Sequence, residues 1–355
     1  MTLPLRRGVQ LASGAGALLL GLASLALPSP YMLESPGPIF DTTGEIEDQP
    51  VTSVTGASSY EVEGTLALTT IYVTGAPTHT VRVPQAVRSW ASATTDMTPH
   101  ELVYPTGTTA EEVQQRNTAA MASSQQLSLA AALDHLDIDF EVELFVADFT
   151  PDAVEAGTDE LLTAGDRVLE AAGEPVTGLE GLRAAVNEAS GEPIELTVAR
   201  DGDHVNVDVP NYQEADGEYY VGILLGNEFE FPVEADIQLE DVGGPSAGLM
   251  FSLGLIDTMT EESMTGGQDW AGTGTVDPDG TVGTIGGAPL KLVGAQGQGA
   301  EHFLAPRDNC GELEGRLPEG LDVYGVDNVD EAVAVVEAVR DGDEDFLAGV
   351  EPCGR

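Results

Sequence analysis

Cationic side chains are nearly absent from this chain: one lysine, Lys291, and twelve arginines stand against 61 acidic residues, a net charge of −48 over 355 residues. A surface so short of basic patches is not built to hold nucleic-acid phosphates or an anionic membrane surface. The acidity is spread along the chain, as in a solvated, salt-tolerant surface; a cationic partner is the alternative reading. Cysteine is scarce too. Cys310 and Cys353, 43 positions apart (353 − 310), permit one disulfide in an oxidising compartment. Together with five scattered histidines they show no metal-ligand spacing, so neither a metal nor a cofactor is expected. The phosphate-binding loop G-x-x-x-x-G-K-[ST] is excluded, because the only lysine is followed by Leu292. With no ATPase module in these residues, any enzyme activity is expected to be ATP-independent unless a partner supplies one.

What is present suffices for a core: 42 % of residues are apolar, while 42 glycines and 21 prolines mark many loops. Arg6 and Arg7 precede an uncharged stretch from Gly8 to Leu33, with its apolar heart at Ala15 to Leu27. About 20 such residues can cross a bilayer as a helix, and positive flanking charge keeps that end in the cytoplasm. Residues 1–33 are therefore expected to form a cytoplasmic stub and a single-pass anchor in the cell membrane, with the rest on the extracytoplasmic side. A cleaved signal peptide is the alternative. Ser24-Leu25-Ala26 offers a small-residue cleavage site, although Pro28 just beyond it is unfavourable. Either way the bulk of the protein is exported, which suits a Cys310–Cys353 disulfide pinning the 341–355 tail to the loop after Pro306.

Residues 34–59, with Ser35-Pro36-Gly37-Pro38 and little apolar periodicity, read as a linker. Gly64 to Val73 is rich in β-branched residues and reads as a strand; Ala110 to Leu136 reads as a helix capped by Thr108 or Thr109. Residues 140–211 look like a small independent unit. Glu141 to Ala147 is strand-like, Leu162 to Leu169 is a turn entering a strand, and Leu179 to Ala189 is a short helix. Two alternating runs then flank an Asp201-Gly202 turn, the signature of a hairpin. This order, with the element L-x-x-G-D-x-[IV] at Leu162 to Val168, resembles a PDZ domain. The resemblance implies capture of extended peptides by strand addition, in a groove between Glu141–Ala147 and the 179–189 helix. A generic small β-rich domain is the alternative.

Beyond Tyr219 the pattern changes and leads into Gly243-Gly244-Pro245-Ser246-Ala247-Gly248. Pro245 suits the first position of a helix, and Leu249, Met250, Leu253 and Ile256 recur at helical spacing with almost no polar face. A second buried helix from Pro289 carries Lys291, and a third, Val329 to Arg340, opens on Asn328 and Glu331 as a capping box. A lysine retained under such a bias against ammonium groups is read as doing what arginine cannot, which is to lose its proton when buried. Apolar neighbours Leu290, Leu292 and Val293, and a place in the first turn of a helix, both disfavour its charged form. Ser246, 45 residues earlier (291 − 246), follows a glycine turn whose Gly243 and Ser246 amides can face an oxyanion. A neutral lysine beside a serine is a general base for a hydroxyl nucleophile. No histidine lies within twenty residues of Ser246, so a Ser-His-Asp triad needs a distant partner. Plainer roles exist for each: a helix cap for Ser246, a surface position for Lys291, turn geometry for Gly243 and Gly244.

These residues resemble the proteolytic domain of Lon-type proteases, whose serine lies in G-P-S-A-G and whose lysine follows P-I-G-G-x-x-x-K. Here the second motif reads Thr284-Ile285-Gly286-Gly287-Ala288-Pro289-Leu290-Lys291, with Thr284 in place of proline. Thr273-Gly274 matches the T-G strand whose threonine supports the dyad, Asp279-Gly280 the turn after it, and Ala305-Pro306 to Asn309 the P-x-x-N loop. Thr273 otherwise reads as an ordinary strand residue. Two departures stand out. Gly243 replaces the acidic residue three before the serine, and Thr275 replaces a glutamate after T-G. The resemblance covers 215–340, with 60–139 as the beginning of the same domain and the PDZ-like unit inserted. It implies an α+β chain: a ribosomal-protein-like α/β sandwich split by the insert, catalysis by Ser246 and Lys291, and a ring-shaped homo-oligomer.

The leading expectation is an exported, membrane-anchored, ATP-independent serine endopeptidase acting on unfolded or extended polypeptides selected by the PDZ-like unit. A peptide-binding scaffold with an idle protease domain is the second class. A small-molecule kinase is the third, since glycine turns entering helices also cradle phosphates. The acidic charge and the lack of basic residues near Ser246 weigh against it.

Overall fold

The computed structural model describes residues 5–354 apart from 47–48, 76, 106, 177, 215–216, 240–241 and 351–352. It divides the chain into two units, one running to Ile138 and resuming at Val233, the other from Asp139 to Pro232. Helix α1 (Leu5–Ser24) leaves Leu18, Leu19 and Leu22 exposed. Its uncharged part, Gly8–Ser24, has 17 residues (24 − 8 + 1). That is about 25 Å of helix against the roughly 30 Å of a bilayer core. No helix among the described residues is long and apolar enough to cross a membrane. The spanning helix expected over 1–33 is thus not what the structure shows, because the helix stops at Ser24 before Leu25 and Leu27 can extend it.

The stretch expected as a linker is built into a sheet instead. Strand β1 (Tyr31–Asp41) is followed by β2 (Thr52–Thr55), β3 (Thr65–Thr74), helix α2 (Val83–Trp90), β4 (Asp96–Pro99), α3 (His100–Val103) and α4 (Ala110–His135). β1 lies between β3 and β4, antiparallel to both. Its prolines fit because the register with β3 slips between Pro36 and Ile39, where the ladder needs no donor. Gly37 is required there: a Cβ would sit 2.3 Å from Thr70 Oγ1 and 2.8 Å from the Thr70 carbonyl carbon. The α4 start is the expected one. The Thr109 hydroxyl accepts from the Glu112 amide at 3.2 Å, and the Glu112 carboxylate accepts from the Thr109 amide at 2.8 Å.

The second unit holds β5 (Glu141–Phe149), β6 (Arg167–Ala171), α5 (Leu179–Glu188), β7 (Ile194–Arg200), β8 (Asp203–Val209) and β9 (Ile223–Glu230). The sheet order is β8-β7-β6-β5-β9. β7 and β8 form the expected hairpin, with Asp201 at φ 54° and Gly202 at φ 89° making the left-handed turn. Two expectations change here. The unit runs to Pro232 rather than 211, and β9 pairs with β5 along its length, from Ile223 opposite Phe149 to Glu230 opposite Glu141. The β5 edge on which strand addition was expected is therefore paired with the chain's own β9, which among the described residues is the outermost strand on that side of the sheet.

The first unit resumes with β10 (Glu234–Ile237), which pairs with β2, then α6 (Gly248–Met259) and β11 (Asp269–Gly272). Helix α7 (Ala288–Gly297), β12 (His302–Pro306), a 3-10 turn (Arg307–Leu313), β13 (Asp322–Val326) and α8 (Val329–Asp341) complete it. The six-stranded order is β13-β12-β11-β3-β1-β4, with the first four parallel. On one face α7 buries Ala288, Leu292 and Ala295 against Ala67, Ala271 and Phe303. On the other face α6 lies against β3 and α4. The architecture is mixed α/β, as expected, and both units carry their own core.

Cys353 and Cys310 are disulfide-bonded, which ties the tail beside β13, where the Cys353 amide donates to Val323 O at 3.4 Å. A 43-residue separation corresponds to about 4 kcal/mol in the chain-entropy model. Replacing both cysteines with alanine should lower the thermal midpoint, and reductant should bring the wild type to the same value without further effect on the variant.

Candidate active site

Ser246 does not open a helix. It stands two residues before α6, whose cap is Ala247, in a turn made by Gly244 at φ 92°. The turn is held from α4 below. The Gly244 amide donates to Asn117 O at 3.2 Å, the Ser124 hydroxyl to Pro245 O at 3.1 Å, and the Ser128 hydroxyl to Gly248 O at 3.0 Å. Ser124 and Ser128 are buried in an otherwise alanine- and leucine-rich face. Sequence reasoning passed them over, although two serines four apart facing a core were the available signal. Gly243 packs on Asn117, where a Cβ would come within 2.8 Å of the asparagine Cβ. The Gly244 amide is spent on Asn117 and the Gly248 amide on Pro245 O at 3.4 Å, while Gly243, Ser246 and Ala247 all border the cavity over the site.

Lys291 arrives from the opposite side. Gly287 at φ 72° caps α7, Pro289 lies in its first turn, and Lys291 is the fourth helical residue, 2 % exposed. The loop entering α7 is clamped by Asn309, whose Oδ1 accepts from the Ile285 amide at 3.0 Å while its Nδ2 donates to Ile285 O at 2.9 Å. Through this clamp the P-x-x-N loop fixes the start of the lysine helix.

The structure brings three of the expected residues together. Lys291 Nζ lies 2.7 Å from Ser246 Oγ and 2.7 Å from Thr273 Oγ1. Thr273, fully buried, donates its hydroxyl hydrogen to Ser246 O at 3.0 Å, and the Gly274 amide donates to the same carbonyl at 3.0 Å. Because that hydrogen is committed, Thr273 Oγ1 can only accept from the lysine. One N–H is thereby drawn toward the threonine, which orients the nitrogen lone pair for the serine proton. Burial pushes the lysine pKa from 10.5 down to about 7. Desolvation is the cause, as the apolar neighbours Leu290 and Leu292 led us to expect. Among the described residues no group of His, Cys, Asp or Glu could hold a metal ion.

A cavity of about 650 Å³ opens over Ser246 and Lys291, with Leu68, Ile71, Tyr72 and Met121 in its walls. One side of it is bare backbone. β3 pairs with β11 only from Thr65 to Leu68, and among the described residues no strand covers that edge from Thr69 to Thr74.

Residues 241–338 match the family model of the Lon protease (S16) C-terminal proteolytic domain. The Lon protease of Buchnera aphidicola subsp. Schizaphis graminum is 33 % identical over 96 residues, which is 26 % of this chain and 12 % of that protein. Lon protease 1 of Sorangium cellulosum is 34 % identical over 94 residues, 26 % of this chain and 11 % of that protein. The chain thus spans about a tenth of the length of these curated relatives. Among solved structures, the PDZ domain of an SdrC-like protein from Listeria monocytogenes covers 23 % of this chain and 85 % of its own, at 17 % identity and a TM-score of 0.21. The family match contains Ser246, Thr273, Lys291 and Asn309, and leaves out the 139–232 unit and Cys353.

Keeping a lysine neutral in the fold has a sign in stability. Between pH 7 and 10.5 the unfolded chain holds a proton that the folded one lacks, so the folded state gains stability as pH rises across that window. Below pH 7 the burial cost is fully present, with an upper bound of about 5 kcal/mol at roughly 1.4 kcal/mol per pH unit. Lys291→Met should therefore raise the unfolding free energy relative to wild type, and by more at pH 6 than at pH 9. Equal gains at both pH values in denaturant titrations would contradict a lysine neutral near pH 7.

Proposed function

We propose that this chain is a serine endopeptidase in which Ser246 is the nucleophile and Lys291 its general base. The 2.7 Å approach of a buried lysine nitrogen, with a pKa near 7, to Ser246 Oγ carries the reading. Ser246 Oγ attacks a peptide carbonyl carbon as its proton passes to Nζ. The C–O bond forms, and the carbonyl electron pair moves to an oxyanion facing the Ser246 and Gly243 amides. Collapse breaks the C–N bond, and the ammonium returns the proton to the leaving amine. Water then enters by the same base to release the acyl group. Thr273 positions the amine without touching substrate.

The uncovered edge of β3 supports an extended polypeptide as substrate, since a strand can add to backbone from Thr69 to Thr74 within the cavity that holds Ser246. The free edge of β9 is the corresponding place for peptide capture in the 139–232 unit, in the PDZ manner. These residues encode no phosphate-binding loop, and we take hydrolysis to need no nucleotide unless a partner supplies an ATPase. The disulfide and the exposed apolar α1 favour an exported protein whose N-terminus associates with a membrane. Ring assembly rests on the family resemblance alone.

Cleavage of casein or a fluorogenic peptide by the full chain, without nucleotide, tests the reading. Ser246→Ala and Lys291→Arg should each reduce kcat/KM by about a thousandfold or more. Thr273→Val should lower kcat by roughly ten- to a hundredfold with KM little changed. In the wild type, kcat/KM should fall below pH 7 with a slope of one proton, because the protonated amine cannot accept from serine. Activity that survives in both dyad variants sinks the mechanism. An inert wild type that still binds peptides would point to a scaffold.

A further inference from the structure

The end of α1 runs directly into a second apolar face that the fold leaves uncovered. The Val83 amide donates to Leu27 O at 3.1 Å and the Ser29 amide to Val81 O at 2.7 Å, so α2 starts beside the exit of the N-terminal helix. Along α2, Val83, Ala86, Val87 and Trp90 recur at i, i+3, i+4 and i+7, a single apolar stripe. Its inner part is covered, with Ala86 8 % exposed, while Val87 is 59 % and Trp90 81 % exposed. Both border an open groove of about 490 Å³ shared with Tyr31 and Met97. α3 is tied to the same place, its His100 amide donating to Pro30 O at 3.0 Å, and it exposes Leu102.

The charge of this region is the reverse of the rest. From Gly64 to Thr95 there is no acidic residue in 32 positions (95 − 64 + 1), so all 61 carboxylates lie in the other 323 (355 − 32). The same segment carries Arg82 and Arg88, two of only twelve arginines, at the two ends of α2. A chain of this net charge is repelled by an anionic surface everywhere except where its carboxylates are missing. Along this segment they are missing on both sides of an exposed tryptophan, and of the two that follow, Asp96 is paired with Arg316 while Glu101 stands beside Leu102.

We infer that α2, with Leu102 and the α1 exit at Leu25 and Leu27, rests on the outer boundary of an anionic bilayer. Trp90 inserts at headgroup depth and Arg82 and Arg88 meet the phosphates. A tryptophan's amphipathic ring favours that depth, and arginine can keep its charge among phosphates while its stem lies along apolar surface. A lipid surface fits better than a protein partner, because the patch continues an apolar helix and pairs its exposed ring with cationic rather than mixed charge. The contact rests on α1 being a membrane-associating segment, and it adds a second attachment that fixes which side of the first unit faces the lipid.

The two tryptophans make the test direct, since Trp270 is fully buried and Trp90 supplies the accessible emission. The full chain is floated with phosphatidylcholine vesicles, with and without a third of phosphatidylglycerol, and Trp90→Phe subtracts the Trp270 signal. On anionic vesicles Trp90 emission should shift to the blue, resist acrylamide and be quenched by lipids brominated high in the acyl chain. Arg82→Gln with Arg88→Gln should weaken partitioning into anionic vesicles roughly thirtyfold, at about 1 kcal/mol for each arginine. A chain that floats while Trp90 stays as open to acrylamide as in buffer would overturn the α2 contact and leave α1 association standing. Failure to float at all removes both. Shielding of Trp90 that needs no vesicles and grows with protein concentration would assign the patch to a second copy of the chain.

Discussion

Taking one ammonium group out of water is the constraint on which the first unit is organised. Lys291 is 2 % exposed, in a helix whose Leu290 and Leu292 are essentially inaccessible, and that burial alone brings its pKa to about 7. Fully desolvating an unpaired ammonium costs several kcal/mol, so the group survives by becoming neutral and by finding hydrogen-bond partners. Ser246 and Thr273 are those partners, both at 2.7 Å. No carboxylate contributes to the shift, notable in a chain with 61 of them. An acid beside Lys291 would raise its pKa and remove the base.

Three separately held segments meet at that nitrogen. Asn309 clamps Ile285 and so fixes the entry to α7; the buried hydroxyls of Ser124 and Ser128 hold the serine turn from α4; β12 holds Thr273 through its amide, which donates to Leu304 O at 3.1 Å. None of these contacts touches the space where a peptide would lie. Their common effect is to hold Ser246 Oγ and Lys291 Nζ at hydrogen-bond distance without relying on a flexible side chain to find its partner.

The parts legible in the sequence are those whose information is local. Ser246 and Lys291 sit in short glycine-bounded motifs, the lysine is unique, and the α4 cap needs only Thr109 and Glu112. The Asp201-Gly202 hairpin is equally self-contained. What escaped depends on distant partners. Pro36-Gly37-Pro38 reads as a linker because the bulge that accommodates it exists only against β3. β9 reads as the start of the next domain because its partner β5 lies 74 (223 − 149) to 89 (230 − 141) residues back, from Ile223 opposite Phe149 to Glu230 opposite Glu141. The supports on α4 were missed because two serines four apart show that a buried face is polar but not which carbonyls, here those of Pro245 and Gly248, they will meet. Composition alone does not set where α1 ends: its apolar content runs on to Leu27, whereas the helix stops at Ser24.

The shortness of β11 ties the surroundings of Lys291 to the open edge of β3. The strand stops at Gly272, where a Cβ would strike Met250 Sδ at 2.4 Å, and the chain then turns so that Thr273 leaves the ladder with β3. Had β11 continued in register, its next residues would have covered the β3 edge from Thr69 onward. Instead, Thr69 Oγ1 donates to Gly272 O at 2.9 Å, closing the last rung with a side chain, and the following backbone of β3 is left open. The departure that carries Thr273 to Lys291 is therefore the one that uncovers the edge on which an extended chain can lie. The buried amine's threonine partner and the open edge of β3 arise from a single break in the sheet, which leaves that backbone lining the same cavity as Ser246.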